Sequence, residues 1–414
     1  MHRAFNYLSV ISSHPRFLGF GFLMAFTSSA GQTYFIGIFG PEIRLAFDLS
    51  HTEWGTVYLV GTLASALVIP FTGQLIDRFN LRLYAAIVVL GLGLACLSIS
   101  GVESVYVLTA CIFLLRQFGQ GLASHTAVTS MARYMGSDRG KAIAISSMGY
   151  SVAEAMLPVL AVLAIVSLGW RTAFAGTGFV VIVIIPLVIV LLRGHDVRHR
   201  TFVQQQEKNA GAIGTLALSR GQMLREKRFY LILPAILAPS YIGTGLFFHH
   251  LTLAELKDWS ALWVTGNYWV YALCSVLTSL AAGPLIDRYS AVRVVPYYLV
   301  PLIFALLILA PASNPLWVIP YMMLLGLNTG LYFTGISALW AELYGAKYLG
   351  AIKSMAGAFM VFASSLGPVT IGALLDRGFT LWQICMLFIV ICIFATITLV
   401  TGLNRNRSQF NNAA

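Results

Sequence analysis

Gly73-Gln-Leu-Ile-Asp77-Arg78-Phe-Asn-Leu-Arg82 closes one long apolar run, and Gly283-Pro-Leu-Ile-Asp287-Arg288-Tyr, with Arg293 just beyond, closes another. The offset of 210 positions (283 minus 73) recurs elsewhere: Tyr58 matches Tyr268, Tyr134 matches Tyr344, Gly140 matches Gly350 and Pro158 matches Pro368. A constant register over that length means that one half of the chain repeats the other. Each copy ends an uncharged stretch, so the repeat predicts two bundles of membrane helices in parallel orientation.

Composition agrees. The 414 residues are 58% hydrophobic and only 10% charged, whereas roughly a quarter of a soluble domain is charged. Uncharged runs at 54–76, 83–102, 172–192, 259–286, 354–375 and 379–404 reach or exceed the roughly 20 residues that cross a bilayer as helix. Spanning backbone must satisfy its own hydrogen bonds, and the alternating pattern of a barrel is absent, which leaves a helical bundle. Twelve spans are expected, near 17–40, 54–75, 83–101, 105–132, 142–167, 172–192, 229–252, 261–282, 294–311, 316–341, 354–375 and 380–402. The expected fold is an all-α integral membrane protein of two pseudosymmetric six-helix halves, 1–192 and 229–414, joined by a basic linker at 193–228.

Charge sets the orientation. With both termini inside, every lysine and arginine falls on the inner side except Arg44, Arg171, Lys257 and Arg377 outside and Arg116 within a span. That asymmetry predicts cytoplasmic termini, because topology follows positive charge. The net charge of +11 is spread over short loops, which fits a membrane surface and not nucleic acid. Cys96, Cys111, Cys274, Cys385 and Cys392 lie in apolar runs without ligand spacing, so neither disulfides nor a metal site is expected. The N-terminus, Met1-His-Arg-Ala-Phe-Asn-Tyr, lacks the apolar core and cleavage site of a signal peptide and is expected to be retained. Nucleotide-binding and hydrolytic motifs are missing too: no Gly-Lys-Ser/Thr loop, no His-Glu-x-x-His and no Gly-x-Ser-x-Gly. An enzyme and a bound cofactor are therefore not expected.

These residues resemble the major facilitator superfamily over essentially the whole chain. Gly73, Asp77, Arg78 and Arg82 fill the family's loop signature after span 2, and Gly283, Asp287, Arg288 and Arg293 fill its second copy after span 8. The resemblance implies a secondary transporter with a solute site between halves that alternate access. It also implies that the signature is a conformational latch, Asp77 meeting the start of span 11 at 351–353 and Asp287 the loop at 139–141. Met131-Ala-Arg133-Tyr134-Met-Gly-Ser-Asp138-Arg139-Gly140-Lys141, with Gly149 and Pro158, looks like the corresponding region of the monocarboxylate and oxalate/formate carriers. Exporter motifs place an arginine where Gln117 stands here, with Arg116 one place off.

Charge inside hydrocarbon is costly, so intramembrane ionisable residues are functional candidates. Arg116 in span 4 and Glu154 in span 5 qualify. Counted from the inner loop, they lie at depths of about 25 and 20 Å, close enough to pair. The pair is either a structural tie or a proton-coupling and solute-binding device. His125 is either a packing residue or a proton relay. Spans 1, 4, 7 and 10 line the cavity in the family resembled, which makes Gln32, Tyr34, Tyr241, Asn328 and Tyr332 solute-contact candidates. His249 and His250 are interfacial or an outer gate. The expected protein is a monomeric carrier of the plasma membrane, of bacterial inner-membrane type, moving a small solute. A cationic Arg116 points to an organic anion and Glu154 to proton symport. Export of drug-like or siderophore-like metabolites, and a non-transporting membrane sensor, stay open as alternatives.

Overall fold

A computed structural model describes residues 7–195, 220–345 and 349–411. Most of the expected linker, 196–219, lies outside the described residues. Among those described there is no strand, and eleven helices are long and apolar enough to cross a membrane. The span expected at 17–40 is the exception, because it is not one helix. It runs as Pro15–Thr27, a 3-10 turn at Ser28–Gly31, and Thr33–Ile38, together named α1. Serine hydroxyls compete for backbone carbonyls, as Ser28 Oγ does by donating to Ala25 O at 2.7 Å, and Gly31 is a poor helix former.

The remaining spanning helices follow in order: α2 (His51–Thr72, tightening to a 3-10 turn at Gly73–Asp77), α3 (Leu81–Ser100), and α4 (Val105–Leu115, a π-helical turn at Arg116–Ala123, then Ser124–Tyr134). Next come α5 (Arg139–Leu168), α6 (Trp170–Val183 continuing as Ile185–Leu191), α7 (Lys227–Phe248) and α8 (Ala261–Gly266 with Tyr268–Tyr289). The chain closes with α9 (Ala291–Val294 to Val300–Leu309), α10 (Val318–Tyr344), α11 (Leu349–Asp376) and α12 (Leu381–Asn411). Local signals set their ends. Asn80 Oδ1 accepts from Arg82 N at 2.9 Å to cap α3, and Ser104 Oγ accepts from Val107 N at 3.3 Å to cap α4. Gly169 sits at φ +77° between α5 and α6, where a side chain would be strained.

The chain forms two compact units. The first contains residues 7–39 and 60–195 of those described. Its α1 and α5 approach at backbone distance, since a Cβ on Gly149 would stand 2.3 Å from Phe22 O. Without a hydrophobic force between helices in lipid, such small-residue contacts are what hold them together.

The second unit contains the rest, and Gly40–Leu59 belongs to it. There the N-terminal end of α2 packs on α7 and α11. Asp376 at the end of α11 accepts from His51 N at 3.0 Å and Thr52 N at 2.7 Å, so its carboxylate caps the free N–H groups that open α2. Trp54 and Tyr58 lay their rings on Phe248, at 5.2 and 4.6 Å between centroids. In the same unit α8 and α10 close through Gly326 and Gly330, where an added Cβ would be 2.5 Å from a carbonyl oxygen of α8.

Candidate functional site

In the first unit the two irregular turns meet. The 3-10 turn of α1 crosses the π turn of α4 at Gly31 and Gly119: a Cβ on Gly119 would lie 2.6 Å from Gly31 Cα, and one on Gly31 would lie 2.1 Å from Leu115 O. Only glycine allows this approach. Interrupting α1 frees backbone carbonyls, and Arg116, 2% exposed, answers one of them. Its Nη1 donates to Gly31 O at 3.1 Å and to Thr33 Oγ1 at 3.3 Å. The guanidinium is thus held at the break, with its charge buried at mid-span.

The polar groups continue around this crossing. Gln32 is in extended backbone, φ −82° and ψ 152°, and its Nε2 donates to Ser124 Oγ at 3.4 Å. Tyr150 on α5 donates its hydroxyl to Ser124 O at 3.4 Å. Glu154 follows Tyr150 by one helical turn and so shares its face. Tyr34 is buried, at 7% exposed. Gln117 ties α4 to α2, accepting from Ser65 Oγ at 3.0 Å and donating to Thr72 Oγ1 at 2.8 Å.

The expected pairing of Arg116 with Glu154 does not form. Arg116 turns to the carbonyl that the α1 break exposes, and no described residue gives Glu154 a hydrogen bond or ion pair. Sequence reasoning also missed Ser124, Tyr150 and Thr33. Tyr150 was within reach, four residues before Glu154; Ser124 was not, because the π turn shifts the phase of everything after Arg116.

His125 lies in the α2–α4 seam. Its ring lies 3.7 Å from where a Cβ on Gly73 would be, and Thr129 Oγ1 is 3.3 Å from its Nδ1. At the C-terminal end of α2, Asp77 forms an ion pair with Arg133 of α4. Arg78 is exposed, and Arg82 Nε donates to Leu192 O at 3.1 Å, fastening α3 to the end of α6.

The second unit treats its copy differently. Asp287 and Arg293 are exposed, Arg288 stacks on Tyr289 with 5.2 Å to the ring centroid, and Gly283 faces open space. The loop is held instead by Glu342 of α10, which accepts from Ala291 N at 2.7 Å and Val292 N at 3.3 Å. The acid has moved from the loop to the helix. Lys353 donates to Ser337 of α10.

Two solute-contact candidates of this unit, Asn328 and Tyr332, are bonded to neighbouring helices. Pro234 and Pro239 interrupt α7 and leave carbonyls short of partners. Tyr298 donates to Ala235 O, the carbonyl that Pro239 cannot serve, while Tyr332 donates to Ile236 O at 2.9 Å and stacks on Tyr298 at 5.8 Å. Asn328 Nδ2 donates to Tyr298 O at 2.8 Å and is 4% exposed. Tyr241 is half-buried, its ring edge-on to Phe388 at 5.8 Å.

His249 and His250 are buried just past the end of α7. His249 Nε2 donates to Pro368 O at 2.8 Å, and His250 Nδ1 lies 2.7 Å from Tyr268 Oη. Burial pushes His249 down to about 4 and His250 down to about 3, so both are neutral at neutral pH.

An all-helical membrane protein with broken helices crossing around a buried cation has the form of a transport protein. The sequence matches the Major Facilitator Superfamily over residues 21–270 and 267–413, and the chain belongs to that superfamily of transporters. Comparison with curated protein sequences gave no significant match. Among solved structures it is similar to a crystal structure of the nucleoside transporter NupG, determined as a point mutant, with TM-score 0.69 and 11% identity over 94% of this chain and 99% of that one. At that identity the likeness shows the fold.

Proposed function

We propose that the chain is a secondary carrier of small organic anions, driven by protons and working by alternating access between the halves 1–192 and 229–414. The observation that carries this reading is the broken α1 lying on the π turn of α4 with Arg116 held between them. Discontinuous helices expose backbone groups and helix ends at the bilayer midplane, which is where carriers bind solute. Gln32 and Tyr150, both bonded to Ser124 on the helix that carries Arg116, and the buried Tyr34 beside Thr33 offer polar groups suited to a carboxylate, and Glu154 supplies the titrating carboxyl. The likeness of 131–141 to monocarboxylate and oxalate/formate carriers supports the same solute class. His125, Asn328 and Tyr332 hold helices in place, and Tyr241 is the contact candidate of the second half. The carrier works as a plasma-membrane monomer with both termini cytoplasmic and without a cofactor or nucleic-acid partner.

The test is uptake by purified protein in liposomes under an inward proton gradient, with carboxylates, nucleosides, sugars and cationic drugs offered in turn. Accumulation of a carboxylate that collapses with the gradient is expected. Uptake confined to nucleosides or cations would replace the anion reading.

In this proposal Asp77, Arg78 and Arg82, with Asp287, Arg288 and Arg293, bias the conformational equilibrium and do not touch solute, while Gly73 and Gly283 shape the loops. Asp77→Asn is expected to slow transport severalfold while equilibrium solute affinity, read by isothermal calorimetry, stays within a few-fold of the parent. Unchanged turnover would remove the latch.

A further inference from the structure

We propose that the first unit carries a lateral binding groove for one acyl chain of a membrane phospholipid, separate from the solute site. A cavity of about 370 Å³ runs between α5 and α6 with α1 as its floor. Small residues open it: Ala161 and Ala164 on α5 face Ala173 and Gly176 on α6, and the rings of Phe35 and Phe39 form the base. A Cβ added to Gly176 would meet no atom within 4 Å, so the space there is real and unfilled by protein. The wall is mostly apolar: its polar side chains are Thr27 on the floor, whose buried Oγ1 has no hydrogen-bond partner among the described residues, Thr172 and Thr177. Thr177 lines it, but its hydroxyl donates to Ala173 O at 2.9 Å.

Several observations select the occupant. The flanking side chains are large, apolar and turned outward, Val166 at 77% and Phe179 at 66% exposed, on two helices whose spanning stretches are mostly exposed. Such a face belongs against hydrocarbon, since a water-filled path would need polar groups. The α5 wall, from Leu157 to Leu168, rises about 16 Å, which is close to half of the roughly 30 Å hydrocarbon core. The groove therefore fits the chain of a lipid from a single leaflet, the one at the α5–α6 turn. The mouth supplies matching charge. Trp170 and Arg171 open α6 there, next to Thr172 of the lining, and the guanidinium stands 4.4 Å from the Trp170 ring while Nη1 donates to Ser100 O and Val102 O. A fixed cation beside an indole at the interface suits a phosphate headgroup.

The experiment places the full chain in nanodiscs of phosphatidylethanolamine and phosphatidylglycerol doped with a phospholipid carrying a diazirine on its acyl chain, and maps the adducts after illumination. Adducts on 157–168 and 172–184 are expected to exceed severalfold those on the equally exposed faces of α3 and α12. Gly176→Phe, which fills the groove, should bring that labelling down to the level of those faces, and Ala164→Leu gives the same reading from the opposite wall should the first variant fold poorly. Adducts spread evenly over the lipid-facing helices, or labelling unchanged in a folded variant, would overturn the groove. Neither outcome depends on transport, so the proposal stands or falls apart from the solute reading.

Discussion

Gly119→Leu is expected to cost the protein its folded state. The Cβ alone would stand 2.6 Å from Gly31 Cα, 2.8 Å from Gly31 N and 3.0 Å from Ser28 O, all of them backbone. Backbone cannot rotate away, so the two turns must separate. Overpacking a tight contact costs about 1–3 kcal/mol when side chains can adjust, and here the bond from Arg116 to Gly31 O goes with it. Breaking that bond leaves a buried guanidinium short of a partner, which adds to the loss. Little monodisperse protein in detergent is expected, with a melting temperature well below the parent. Gly140→Ala is the control, because a Cβ there meets nothing within 4 Å. A Gly119→Leu protein that melts with the parent would mean that the turns do not touch.

That crossing also marks the limit of what the sequence discloses. The spans could be read because bilayer thickness dictates the length of an apolar run, and the repeat because two copies kept one register. Interruptions of helices obey neither rule. Ser28-Ser-Ala-Gly31 reads as a small-residue stretch that could pack inside an unbroken helix, and only its contact with α4 turns it into a break. The π turn at Arg116–Ala123 leaves hydropathy unchanged while rotating all that follows. Depth along an ideal helix brought Arg116 and Glu154 to one level, and it was direction that failed. Asn328 and Tyr332 looked like solute contacts because polar groups in a span invite that reading. Pro239 of α7 was equally visible, and the carbonyl it cannot serve, Ala235 O, is taken by Tyr298, while Tyr332 donates to the next carbonyl, Ile236 O, and Asn328 to Tyr298 O. At the C-terminal end of α2, Asp77 is legible as a helix-end acid, but its partner Arg133 lies in the stretch that resembles the monocarboxylate and oxalate/formate carriers.

Glu154→Gln is expected to uncouple the carrier from the proton gradient. No described residue bonds Glu154 or pairs with it, and an ionised side chain at mid-span costs about 2.5–3.5 kcal/mol on insertion scales. In the proposed cycle a proton taken up by this carboxyl removes that charge before the halves exchange sides, and its release on the far face restores it. Glutamine copies the protonated form in size and neutrality but holds no proton to release. Accumulation under an inward gradient should therefore fall by about tenfold or more, equivalent to about 1.4 kcal/mol, while exchange of labelled for unlabelled solute at equal concentrations continues near the parent rate. The pH dependence of uptake should flatten in the same variant, since a group that cannot titrate gives no pH response. Arg116→Lys separates the two roles: it keeps the charge but loses the planar donor set that reaches Gly31 O and Thr33, so affinity should suffer while proton dependence survives. A Glu154→Gln protein that accumulates solute with the parent's rate and pH profile would make Glu154 a packing residue and leave the coupling proton to be sought elsewhere.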